Sequence, residues 1–187
     1  GYFAGDLAEV LVYTEALNSV ERVLIENALA SKYNLTISND KFAFEGTHGS
    51  DIYGIGQESD GDKTSNVSDR VRIESSVISD GTYLMWGHNS GAATLTEVAD
   101  IPTGNNARLE QEWRVDYSGS SAIVTVKIST AGLSLGAGET YRLLLDADGT
   151  FATGALQYAG TQVGDTLVVS NVAIDSDVYL TLGRATA

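Results

Sequence analysis

The sequence has no cysteine, a single proline and a single methionine. Without cysteine there is no disulfide framework and no thiolate to attack a substrate or hold a metal, which excludes a small disulfide-stapled secreted domain. Basic side chains are also scarce: 11 Lys and Arg stand against 25 Asp and Glu, a net charge of −14. Nucleic acids and anionic lipids are bound by Lys and Arg displacing counterions, so neither partner is expected. No apolar run has the length that spanning a bilayer requires, so no membrane insertion is expected. Histidine occurs only as His48 and His88, with no Cys beside them and no H-x-x-x-H spacing, which leaves no zinc motif. There is no G-x-S-x-G elbow either, and serines gather in loop-like stretches rather than beside a histidine. No secretory leader is visible, and the chain opens at Gly1-Tyr2 in mid-pattern, as part of a longer protein would.

What is present is a chain of 187 residues, 43% apolar and with 20 glycines, enough for one good core or for a domain with an appendage. Residues 1–36 differ from the rest. Leu7 to Tyr13 reads as a strand with apolar side chains on both faces, an open edge that natural proteins cover. A helix follows. Asn18 as N-cap and Glu21 at N3 form a capping-box pattern. Leu17, Val20, Leu24 and Ala28 mark an apolar stripe, which Val23, Ile25 and Leu29 widen. Lys32 suits the last turn, and Asn34 the left-handed position that ends it.

From Lys41 onward the pattern is β. Short apolar runs recur between Gly, Asp, Asn and Ser clusters, with strands expected near 41–45, 51–57, 67–78, 82–87, 107–117, 122–130, 140–146, 166–174 and 177–183. The clearest alternation is 108–117. Leu109, Trp113, Val115 and Tyr117 share one face, while Arg108, Glu110, Glu112, Arg114 and Asp116 share a face expected to be wet. Leu143, Leu144 and Leu145 leave no room for a solvent side, so strand 140–146 is expected to have neighbours on both flanks. The expected fold is mainly β, an antiparallel two-sheet β-sandwich of jelly-roll or immunoglobulin-like type, with one N-terminal strand–helix unit. The expected domains are 1–36 and 37–187.

The stretch GDLAEVLVYTEALNSVERVLIENALASKYNL resembles the closing strand and terminal helix of bacterial laminin-G-like (concanavalin A-like) modules. The stretches YGIGQESDG, YLMWGHNSG, LEQEWRVDY, YRLLLDADGTF and VYLTLGR are similar to an uncharacterised β-sandwich domain that follows such modules in large bacterial surface proteins. The resemblance implies an extracellular or cell-surface setting. It carries fold-bearing patterns and no catalytic motif, so it implies no activity.

Two acidic loops are candidate cation sites. Asp146 and Asp148 form a D-x-D-G corner after a buried strand, and calcium takes six to eight oxygens of this kind. Asp and Gly also build turns for conformational reasons alone. Glu58, Asp60 and Asp62 are a second set of alternate acids, which as a charge run also suits a solvated loop. Calcium is the expected cofactor. Trp86 with His88 and Asn89 in the G-H-N-S-G loop is the candidate sugar contact, although Trp113 lies on an apolar face and Tyr83 and Trp86 fall on opposite faces. The function expected is therefore a non-enzymatic structural or adhesive module. Its partners would be other domains of the same surface protein or other copies. The N-terminal strand–helix unit is expected to fold back on the sandwich of its own chain, with strand addition to another copy, which could run on into a filament, or the remnant of a cut module as the alternatives. A carbohydrate-binding module that takes glycans is the alternative, and a hydrolase with paired carboxylates a third.

Overall fold

The computed structural model describes Tyr2 and residues 4–186. Helix α1 (Ser19–Tyr33) comes first, then a single helical turn α2 (Glu45–His48). The first strands are β1 (Ser50–Glu58), β2 (Gly61–Lys63), β3 (Ser65–Ser68), β4 (Val71–Glu74) and β5 (Thr82–His88). Next come β6 (Asn105–Arg108), β7 (Trp113–Ser118), β8 (Ala122–Ser129) and β9 (Glu139–Asp146). The chain finishes with β10 (Leu156–Ala159), β11 (Thr161–Val163), β12 (Thr166–Ile174) and β13 (Val178–Thr186).

The strands form two antiparallel sheets packed as a sandwich. The larger has eight strands in the order β10-β9-β13-β7-β5-β1-β2, with β6 also paired to β13; the smaller has five, β11-β12-β8-β4-β3. Strands β2 and β3 are separated only by Thr64, and β10 and β11 only by Gly160, so at each side of the sandwich one chain segment passes from sheet to sheet. Sheet edges are an aggregation hazard, and short corner strands of this kind blunt them. Strand β13 is flanked on one side by β9 and on the other by β7 and β6. Strand β9 has β10 and β13 as neighbours, as its run of leucines requires.

Between the sheets lies the main core, with Ile55, Trp86, Trp113, Val126, Leu143 and Leu182 among its buried members. A second core sits on the outer face of the large sheet, where Val20, Val23 and Leu24 of α1 meet Phe42, Ile52, Tyr83 and Met85. Each such aliphatic side chain contributes about 1.5–3 kcal/mol on burial. Close approach of the helix depends on Gly54: a Cβ there would lie 2.6 Å from Leu24 Cδ2 and 2.8 Å from Met85 Cγ. The helix ends follow the pattern read above. Asn18 and Glu21 form the capping box, and Asn34, at φ 51°, closes the C-terminus with its N–H on the Ala30 and Ser31 carbonyls. Asn27, on the buried face, ties down the connector after α1. Its amide donates to Val23 O at 2.8 Å and Asn39 O at 3.0 Å, and its Oδ1 accepts from Lys41 N at 2.6 Å.

Four expectations need correction. Residues 7–13 are not a strand and lie exposed, Val12 at 89% and Leu7 at 70%. No strand runs beside them to complete a ladder, and the segment is held by Glu9, which accepts from Lys32 Nζ and Tyr33 OH, both at 2.8 Å. Residues 41–45 do not make a strand either, because Phe42 turns under α1. The run 67–78 breaks into β3 and β4 at Asp69, whose φ of 47° makes the hairpin turn. The run 107–117 breaks into β6 and β7, and its supposed wet face is largely covered. Arg108 is only 7% exposed, its guanidinium stacked 4.7 Å from the Phe151 ring and bonded to Asp100. Arg114 is held between Phe44 and Tyr179, at 4.5 and 4.0 Å. Segments laid over the outer face of the sheet, together with Tyr179 of the neighbouring β13, supply this cover, which alternation within one strand does not reveal.

Candidate functional site

The acids Glu58, Asp60 and Asp62 diverge into separate structural tasks. Glu58 Oε1 accepts from Tyr83 OH at 2.9 Å. Asp60 Oδ2 accepts from Ser19 N and Ser19 Oγ, at 3.0 and 2.9 Å, at the first turn of α1. Asp62 contributes its carbonyl, which accepts from Asn18 Nδ2 at 3.2 Å. The turn between β1 and β2 is thus a socket for the helix N-terminus, where the positive end of the dipole favours a carboxylate.

The corner after β9 is likewise engaged with itself. Asp146 is 5% exposed, and its Oδ1 accepts from the N–H groups of Asp148, Gly149 and Thr150 at 2.9, 2.7 and 3.1 Å. Asp148 Oδ1 accepts from Thr150 N at 2.8 Å, and backbone donation there holds its carboxyl below the usual aspartate value. No third carboxylate joins this pair. Among the described residues no group of three His, Cys, Asp or Glu side chains gathers as a metal cluster.

Trp86 does not reach solvent. It is fully buried between the sheets, with Nε1 donating to Val71 O at 3.1 Å, so its ring offers no face to a sugar. Trp113 is equally buried, with Nε1 on Ser68 O at 3.2 Å. Asn89 braces its own loop: Oδ1 accepts from Gly91 N and Glu112 N, and Nδ2 donates to Glu110 O. The three proposed ligand contacts therefore do not form one surface.

His88 has a different neighbourhood, and it opens the main polar constellation of the molecule. Its Nδ1 accepts from Ser90 N at 3.0 Å and lies 3.1 Å from Gln111 Nε2. Burial lowers its pKa, partly offset by the nearby Asp69 and Asp51 carboxylates. Gln111 Nε2 also donates to Asp69 Oδ2 at 2.9 Å. Asp69 N donates to Asp51 Oδ2, and Ser50 Oγ bonds Ser90 Oγ, which closes a ring of contacts running Ser50, Asp51, Asp69, Gln111, His88 and Ser90. Three of these residues, Asp51, Asp69 and Ser90, have φ of 53°, 47° and 60°, a left-handed region that costs non-glycine residues energy. The ring draws on the start of β1, the β3–β4 turn and the segment after β5, so it bridges the two sheets at one end of the sandwich. Position by position the sequence carries no sign of it; the only hint is that Asp and Ser tolerate such turns.

Beside the ring runs a second polar line. His48, 4% exposed, places Nε2 3.6 Å from Glu112 Oε1, and Glu112 Oε2 is 3.3 Å from Arg108 NH1. Arg108 in turn pairs with Asp100 at 2.9 Å. His48 and Arg108 are buried, while Glu112 and Asp100 are half-buried.

Two surface grooves complete the picture. One of about 340 Å³ lies between α1 and the β2–β3 corner and is mostly apolar, with Tyr13, Leu17, Ile25 and Tyr53 in its walls. The other, about 410 Å³, crosses the outer side of the small sheet; its only titratable side chain is Glu74, which is paired with Lys127.

Residues 47–178 match the profile of a family described as a domain of unknown function, DUF8202. The chain belongs to this family. No curated protein and no solved structure matches it. The ring from Ser50 to Gln111, the line from His48 to Glu112 and the Asp146 corner all fall inside the DUF8202 segment, whereas α1 and residues 7–13 precede it. Among the described residues no helix is long and apolar enough to cross a membrane.

Proposed function

We propose that the chain is a non-enzymatic structural or adhesive module of a bacterial surface protein, working outside the cell and joining neighbouring copies through residues 7–13. The observation that carries this reading is the exposed apolar run Leu7, Val10, Leu11, Val12 and Tyr13, held in place beside a helix that is itself docked on the sheet. Such a run is suited to adding a strand to another chain's sheet, with main-chain bonds giving affinity and alternate side chains giving register. The receiving edge in this reading is β10 of the next copy. Short as it is, β10 is paired on one flank only and Leu156 stands at 59% exposure, whereas β2 at the opposite side is covered by α1 of its own chain. Donor and acceptor then differ, so the contact is heterologous and repeats head to tail.

In the same reading residues 1–36 are the closing segment and helix of a laminin-G-like module, with 7–13 taking up strand pairing only against a partner, and 37–187 are the sandwich domain that follows it. The acidic charge agrees with an extracellular life. A structural role also agrees with how the acids are used: Asp60, Glu58 and Asp146 each satisfy protein donors. The test is sedimentation of the full chain over a concentration series. Growth of a head-to-tail series, suppressed by Val10→Asp and separately by Leu156→Lys, is the expected result. A monodisperse monomer throughout, or assembly indifferent to both substitutions, rejects the reading.

A further inference from the structure

The ring at the end of the sandwich holds one acceptor that the protein leaves empty-handed. Gln111 is 3% exposed, and its Oε1 is buried without a partner. The assignment of that oxygen follows from charge. The other head atom of the amide faces Asp69 Oδ2 at 2.9 Å, which an N–H satisfies and a carbonyl oxygen would repel. The same Nε2 lies 3.1 Å from His88 Nδ1, whose in-plane lone pair already accepts from Ser90 N and would repel an amide oxygen set in that place. Both neighbours therefore set the amide the same way round, and its oxygen is left buried beside the ring with no donor. A buried amide oxygen stripped of water destabilises the fold unless a donor or a cation meets it.

The amide head touches Asp69 Oδ2 and His88 Nδ1, and the rest of the ring is rich in hard oxygens. Asp51 and Asp69 each have one carboxylate oxygen occupied, by Asp69 N and Gln111 Nε2, and a second oxygen with no bond recorded. Ser50 and Ser90 bring two hydroxyls that touch each other. The one nitrogen in the ring, His88 Nδ1, has its lone pair taken by Ser90 N–H. Oxygen-only donors with two carboxylates suit a divalent hard cation, and a set drawn from flexible turns with mixed carboxylate, amide and hydroxyl oxygens suits calcium better than the strict octahedron of magnesium.

We propose that Asp51, Asp69, Gln111, Ser50 and Ser90 form a calcium site, with Gln111 Oε1 as its buried ligand and water completing the shell on the exposed side. The two carboxylates neutralise the ion. The ion in turn relieves the stranded oxygen and ties β1 of the large sheet to the β3–β4 turn of the small one. This proposal does not depend on assembly through residues 7–13. It differs from both acidic loops singled out from the sequence, whose oxygens serve the helix and the β9 corner.

Terbium(III) is the probe, because it replaces calcium and emits when excited through a nearby indole. Trp113 stands next to the ring, its centroid 5.8 Å from that of His88. The full chain, stripped with chelator, should give indole-sensitised terbium emission that excess calcium displaces and excess magnesium or zinc displaces far less. Asp51→Asn and Asp69→Asn should each weaken terbium at least tenfold while keeping the near-ultraviolet dichroism of the chelator-treated protein. Asp148→Asn and Asp62→Asn should leave the emission unchanged. Calcium at a hundredfold excess over Kd should also raise the apparent folding constant about a hundredfold. Absence of emission, emission retained in both ring variants (an adventitious lanthanide on an acidic surface), or emission lost in Asp148→Asn would each overturn the assignment.

Discussion

Asp60 Oδ2 receives both the N–H and the hydroxyl of Ser19, at 3.0 and 2.9 Å, so a turn of the sheet supplies the anion at the first turn of α1. The Ser19 hydroxyl, its N–H and, more weakly, Arg22 lower the Asp60 pKa from 3.8. The stability this carboxylate contributes is present above 3.8 and is lost as pH falls through the lower folded value. Asp60→Asn, which keeps the shape but loses the charge-assisted bonds, should melt earlier than wild type at neutral pH. The difference should close as both are titrated well below 3.8. Faster amide exchange confined to the start of α1 is the accompanying sign, and coincident melts at neutrality would refute the clamp.

Asp116 has the opposite sign. Its Oδ2 accepts from Ala43 N at 2.7 Å, but burial raises its pKa, with Asp177 and Asp40 adding to the effect. Native structure then binds the proton more tightly than the unfolded chain, so this group's contribution falls as pH rises from 3.8 through the raised value. Asp116→Asn retains an acceptor for Ala43 and sheds the buried charge. It should raise the melting temperature at neutral pH and make no difference in strong acid.

The helix is part of the fold rather than an ornament on it. Leu24 is 6% exposed and packs over Gly54. Leu24→Ala should cost about 2–5 kcal/mol in urea denaturation, with an unchanged m-value and one transition. A loss below about 0.5 kcal/mol, the range of ordinary surface changes, would mean that α1 is dispensable.

Both tryptophans, at 0% exposure, should emit to the blue of free indole and resist quenching by iodide. Titration with oligosaccharides should leave that emission unchanged. A saturable change on adding a glycan would restore the sugar-binding alternative.

The helix was readable because its signals are local: Asn18, Glu21 and Asn34 act within one turn of themselves, and they sit as their pattern predicts. The two-sheet architecture was readable because Val124, Val126 and Ile128 alternate with exposed or half-exposed neighbours in β8. Failures came where partners lie far along the chain. Arg108 and Arg114 look like surface cations until Phe151, Phe44 and Tyr179 are brought over them. Asp60 looks like a ligand until α1 arrives at Ser19, 41 residues earlier. Gln111 falls in the alternation on the face of Leu109 and Trp113, but its polar neighbours are not legible there, because they come from Asp69 and His88, far along the chain. Strand 7–13 was misread for a simpler reason. Apolar alternation states what a segment would bury, not whether anything lies beside it.

Strand β13 lies in the interior of the large sheet, laddered to β9 along most of its length and to β7 and β6 on the other flank. Antiparallel ladder bonds run across the strands. A load pulling on the chain at Thr186 would therefore act along β13 and strain both ladders sideways together, with no free edge from which to peel them one bond at a time. Forced unfolding is governed by the height of the unfolding barrier, and shearing two ladders at once makes that barrier tall. A module strung in series with others would resist traction at this end far better than its modest size suggests.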